Sequence, residues 1–276
     1  MILDWVKCEQ ECEELLPFCH TTSWETFQEI LESECISNQY SQFPPKSEKS
    51  TSQDVVYLFY GLPFYIYKTG NGDDTNIDTT DEMPIALIFK PDVVNDYIER
   101  VYPFDTGALL ADKYKNILKI NENDGYRIYQ LPVTDGIEIK KLVKRYYLIN
   151  ERYCFGRFNN SLEPCHPKEE KLIRLLRYSS DTKIDLRFRA IEAHSINNIP
   201  LFENLLAIVF PKVSAKVKYP DLLKKVKTKY PYVSTLFYND IVPFCSQSIR
   251  NAVINATMDY YDNNDSMVFN TLNQNK

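Results

Sequence analysis

The sequence predicts an α+β fold, a mixed β-sheet core with flanking helices, and three observations carry that expectation. Short runs dense in Val, Ile, Tyr and Phe recur at residues 55–60, 83–89 and 205–210, and such runs read as strands. Elsewhere apolar residues recur at helical spacing, as at Trp24, Phe27 and Leu31, which gives a helix one buried face. Polar stretches rich in Asn, Asp, Ser, Gly and Pro separate these segments. At 276 residues the chain is long enough to bury a substantial core.

The first unit begins with an apolar lead-in at residues 15–18 that runs into His20 and Thr21. Thr22 and Glu25 have the spacing of a capping box, so a helix is predicted to start at once. His20 and Thr21 then sit at the mouth of a strand-to-helix turn, where rigid elements on both sides can hold a polar pair against a ligand. The competing expectation is a turn histidine that bonds a carbonyl. Residues 38–54 read as a polar loop, with Lys46 and Lys49 able to meet a phosphate.

Residues 54–67 form the next strand signal, bent by Gly61 and Pro63. Alternation sets Tyr57 and Phe59 on one face and Val56, Leu58 and Tyr60 on the other. Residues 68–82 suit an acidic loop, and residues 83–89 suit a central strand. Asp105-Thr106-Gly107 lacks the second copy that a paired-carboxylate protease needs, so Asp105 is expected to anchor its own turn. Residues 126–131 read as extended, residues 137–149 and 169–177 as helices, and residues 151–167 as a loop.

Residues 183–194 read as a strand in which Ile184, Leu186, Phe188, Ala190 and Glu192 share one face. Glu192 thus continues an apolar, inward row, where a carboxylate is costly unless it is paired or functional. His194, two residues on, can share the same site, although a surface role is the first expectation for it. A last helix is predicted at residues 246–261.

Composition narrows the class. With 44% hydrophobic and 25% charged residues, the chain is ordinary for a globular protein. It has 20 Tyr and 15 Phe against 7 Gly, hence many flat apolar surfaces and few hinges. The net charge of −6 argues against a general nucleic-acid coat protein. Locally the balance reverses: Lys212, Lys216, Lys218, Lys224, Lys225, Lys227 and Lys229 face one acid, Asp221. Such a cluster suits a nucleic-acid or other phosphate-bearing partner, and a solvated helix face equally.

No apolar run reaches the length needed to cross a bilayer, so no membrane partner is expected. Residues 1–5 lack the features of a signal peptide. Seven cysteines without a framework suit a reducing, cytoplasmic setting. Cys8, Cys12, Cys19, His20 and Cys35 lack the paired spacing of a zinc knuckle, so no metal is expected. Cys19-His20 and Cys165-His166 are neighbours in sequence, which is no evidence of a nucleophilic dyad in space.

The His20-Thr21 pair at a strand end, the aromatic helix that follows and the late Ala190-Ile191-Glu192 strand together resemble the ADP-ribosyltransferase superfamily, in particular its DarT-like bacterial branch. The resemblance implies a split mixed β-sheet with NAD bound as substrate in the cleft. It also implies a toxin or anti-phage defence effector that modifies nucleic acid or protein. By the family's pattern Glu192 would be the catalytic carboxylate, and His20 and Thr21 would hold the dinucleotide. One of Tyr57, Tyr60 and Tyr65 would stack on nicotinamide. An antitoxin or inhibitor protein would be a natural partner. The chain departs from the pattern in having no arginine in residues 38–54, leaving Arg100, Arg157 or Lys49 as substitutes. The alternatives are an NAD glycohydrolase and a non-enzymatic interaction protein on the same fold. The expected organisation is a transferase-like domain over residues 1–211, a basic helical extension over 212–262 and a disordered tail over 263–276.

Overall fold

The computed structural model describes residues 14–37, 55–64, 76–77, 83–110, 115–118, 126–133, 135–177, 186–240 and 244–264. Strand β1 (Phe18–Thr22) leads into α1 (Trp24–Ser33) and the short β2 (Cys35–Ile36). Next come β3 (Val56–Tyr60), β4 (Asn76–Ile77), β5 (Ile85–Phe89), α2 (Val93–Asp96) and β6 (Arg100–Tyr102). Short helices α3 (Thr106–Leu110) and α4 (Lys115–Leu118) precede β7 (Leu131–Pro132), α5 (Ile137–Tyr147), α6 (Asn150–Cys154) and α7 (Pro167–Arg177). The chain continues through β8 (Glu192–Ser195), β9 (Ile199–Pro200), β10 (Leu205–Pro211), α8 (Pro220–Lys229), β11 (Ser234–Tyr238), β12 (Phe244–Cys245) and α9 (Ser246–Asn263).

The architecture is α+β. Eight strands form one mixed sheet in the order β11-β10-β5-β1-β3-β8-β6-β7. Most neighbours are antiparallel, while β10 and β11 run parallel. The C-terminal segment expected to be basic and helical therefore also supplies a strand of this sheet.

Helices pack on both faces. Phe18, Leu87, Ile208 and Phe210 meet Trp24, Phe27, Ile30 and Leu31 of α1 in one core. Trp24 stacks on Tyr219 at 4.3 Å and on Phe210 at 5.8 Å. On the other face Cys19, Ala86, Ile88, Ala207 and Val209 pack under Ile249, Val253 and Tyr261 of α9. Each large side chain so buried contributes about 1.5–3 kcal/mol of transfer free energy.

Several local expectations shift. The cap of α1 is Ser23, whose side chain accepts from the Thr26 N–H at 3.2 Å, because Thr22 stays extended opposite Ile85. Residues 183–194 are not one strand. Leu186–Arg189 forms a 3₁₀ turn, held by the Arg187–Asp105 ion pair at 3.2 Å and the bond from the Asp105 N–H to the Arg187 carbonyl. Only Glu192–Ser195 is extended. Tyr126–Tyr129 is likewise a 3₁₀ turn rather than strand, and α6 occupies the start of the expected loop at 151–167, with Tyr153 and Cys154 buried. No described helix is long and apolar enough to cross a membrane. Cys8, Cys12, Lys46, Lys49, Tyr65 and the tail from residue 265 lie outside the described residues.

Candidate functional site

The sheet changes character at the seam between β1 and β3. Strand β1 pairs with β5 over five residues, from Phe18 to Thr22. With β3 it pairs over two, Phe18 with Tyr60 and Cys19 with Phe59. Beyond Cys19 side chains replace the ladder. By alternation His20 lies on the face of Leu87, opposite the row of Tyr57, but its ring turns to the seam and its Nδ1 meets the Tyr57 carbonyl at 2.9 Å. Thr21 donates its hydroxyl to the Phe64 carbonyl at 3.3 Å.

A carbonyl only accepts, so the His20 proton lies on Nδ1 and Nε2 presents a lone pair. That Nε2 has no partner among the described residues. Burial lowers the His20 pKa from its ordinary value, against an opposing pull from the Tyr57 bond. A neutral ring with an open acceptor is the form that takes a hydrogen bond from a hydroxyl.

On the other side of β3 lies the carboxylate. Strand β8 sets His194 opposite Tyr57 and Glu192 opposite Phe59, and β6 sets Arg100 opposite His194 and Tyr102 opposite Glu192. These six side chains therefore share one face. Glu192 is 1% exposed. Its Oε2 accepts the Thr106 backbone N–H at 2.7 Å, and its Oε1 accepts the Thr106 hydroxyl at 2.7 Å and Nε2 of His194. A carboxylate offers about four lone-pair positions, so one, on Oε2, is without a donor among the described residues.

The imidazole of His194 is enclosed by two rings, with Tyr57 and Tyr102 each 4.8 Å from it centroid to centroid. His194 is 1% exposed, so it does not take the surface role expected of it. Its Nδ1 is buried without a partner among the described residues, a condition that costs about 1–3 kcal/mol.

His20 and Glu192 therefore start from opposite faces of the sheet, and Tyr57 stands between them: its carbonyl meets His20 Nδ1, and its ring lies against His194, which bonds Glu192. Tyr60 is placed elsewhere. It is fully buried on the opposite face, donates its hydroxyl to Asn150 at 2.9 Å and accepts from the Leu16 N–H at 3.0 Å. Of the substitute cations, Arg100 lies in the Glu192 row, whereas Arg157 rests 5.0 Å from the exposed Phe155 ring.

Thr106 is the residue that sequence reasoning missed. Asp105 anchors its turn as expected, accepting the Ala108 N–H at 2.7 Å, but no local pattern marks its neighbour as the partner of an acid 86 residues away. Among the described residues no group of three His, Cys, Asp or Glu is arranged to hold a metal ion. No family model, curated protein or solved structure matches the chain.

Proposed function

We propose that the chain is an NAD-dependent ADP-ribosyltransferase, with Glu192 as the catalytic carboxylate and His20, Thr21 and Tyr57 on the dinucleotide side. The observation that carries this reading is the seam. His20 bonds Tyr57 where the β1–β3 ladder stops, and Tyr57 shares its face with Glu192 on the next strand. The family resemblance implies a histidine on the first strand, an aromatic on the next and a glutamate on a late one, and His20 on β1, Tyr57 on β3 and Glu192 on β8 fit that order.

The chemistry fits these groups. Cleavage between nicotinamide and ribose develops positive charge on the ribosyl carbon, as in glycoside hydrolysis. A carboxylate fixed by three donors stabilises that charge without reorganising. The neutral His20 ring accepts a ribose hydroxyl at Nε2, and the half-buried Tyr57 offers a ring to the departing base. The acceptor is a nucleic acid or protein drawn by the lysines of residues 212–229, whose Lys224, Lys225 and Lys227 are exposed on α8. A toxin or defence effector is the biological setting that this chemistry suits.

One observation favours a second reading, a non-enzymatic interaction protein. Glu192 is fully enclosed and three of its lone-pair positions are taken, which also describes an acid that only ties α3 to β8. Incubation of the full chain with NAD carrying a labelled adenylate, in the presence of nucleic acid and protein, separates the readings. Nicotinamide release, label in one macromolecular fraction and a loss of about 10²-fold or more in Glu192→Gln are expected. Label recovered only as free ADP-ribose assigns a glycohydrolase instead. Intact NAD overturns the enzymatic reading.

A further inference from the structure

In the transfer chemistry described so far His194 enters only as one of three donors to Glu192, yet it is closely built into the site. Its Nε2 bonds Glu192 Oε1, the rings of Tyr57 and Tyr102 lie on either side, and Arg100 stands opposite it on β6. Because the carboxylate accepts, the shared proton belongs to Nε2. The other nitrogen, Nδ1, is buried and without a hydrogen-bond partner among the described residues. One nitrogen is left unsatisfied while the other meets Glu192, and a buried polar atom left in that state calls for an explanation.

We propose that His194 is a positioning residue, which together with Thr106 locks the Glu192 carboxylate in the orientation used during ribosyl transfer; the inference rests on the transferase reading. Thr106 contributes one donor to each oxygen. The imidazole adds a second donor to Oε1, which opposes rotation of the carboxylate and keeps the last lone pair of Oε2 in a constant direction. The tyrosine rings in turn fix the plane of the imidazole.

The chain has three histidines, so 15N-imidazole spectra resolve each one, with His20→Gln and His166→Gln completing the assignment. Wild-type His194 is expected to carry a proton on Nε2, and a ring protonated on Nδ1 alone overturns the proposal. In nicotinamide-release kinetics His194→Ala is expected to lower kcat by about tenfold or more, with the KM for NAD changed by less than about twofold. His194→Gln, which carries an amide donor near the position of Nε2, is expected to recover most of that loss. Unchanged kcat in His194→Ala overturns the proposal, and so does a His194→Gln variant that folds with wild-type melting but stays as slow as the alanine variant. Wild-type protein that leaves NAD intact overturns the transferase reading instead, while the tautomer still decides whether the imidazole holds the carboxylate.

Discussion

Thr106 donates its backbone N–H to one oxygen of Glu192 and its hydroxyl to the other, each at 2.7 Å. Both residues are buried, so the hydroxyl cannot be replaced by water without rearrangement. Thr106→Val keeps the shape and removes one donor to a buried carboxylate. It is expected to destabilise the fold by about 1.5–3 kcal/mol in urea unfolding, the range for hydrogen bonds to charged groups. Thr106→Ser retains the hydroxyl and should recover most of this. Equal stability of Val and wild type would show that the hydroxyl contributes nothing.

His20 makes a prediction about pH. Its pKa is lowered in the folded chain, chiefly by burial. Below the ordinary value of about 6.5 the unfolded chain takes a proton that the folded ring resists. The stability this group supports is therefore present above that value and is lost as pH falls toward the folded one. Urea midpoints measured from about pH 7.5 to 5 should fall more steeply for wild type than for His20→Gln. Parallel curves would mean that the ring does not titrate differently on folding.

Gly61 closes β3 at the same seam. Its φ is +70°, and a Cβ there would lie 2.8 Å from Leu16 Cδ1 and 3.3 Å from Tyr153 Cε1. Its N–H and carbonyl are both engaged, with Pro17 and with the Tyr261 hydroxyl. Gly61→Ala should destabilise by about 1–2 kcal/mol from left-handed strain alone, with crowding of Leu16 added. A change under ~0.5 kcal/mol, within the range of surface substitutions, would show that the turn relaxes freely.

Much of this site was legible in local pattern, and its partners were not. Alternation separated Tyr57 and Phe59 from Tyr60, and the strand holds them that way. The inward placement of Glu192 was also legible, although the apolar row that suggested it runs through a 3₁₀ turn. The acid is buried because β8 lies between β3 and β6, which is a fact of topology. The burial of His194 has the same origin. Thr106 was invisible because its local role, inside a capped turn, is complete without Glu192. The helix cap moved from Thr22 to Ser23 because pairing with β5 outweighed the capping-box pattern.

The same logic of a buried acid applies away from the site, at Glu169. This residue is fully buried, and Arg145 holds both of its oxygens, Nε on Oε1 and Nη2 on Oε2 at 2.8 Å. The Cys165 N–H at 2.8 Å, the Cys165 thiol at 3.1 Å and the Tyr146 hydroxyl at 3.1 Å also donate to it. Burial alone would raise the Glu169 pKa, but the bonds from Arg145 and Cys165 outweigh it and hold the carboxyl below its usual value. Arg145→Ala leaves that charge buried and uncompensated, and should cost about 3–5 kcal/mol. Lysine restores the charge without the two-pronged geometry, so Arg145→Lys should recover only part of the loss. The stability gained by a depressed carboxyl is present above its unfolded value, near pH ~4.3, and is lost as pH falls through the folded value. Wild type should therefore lose its advantage over Arg145→Ala on acidification, and urea unfolding at pH ~7 and ~3 measures this; a gap that stays constant would show that the ion pair is not its source.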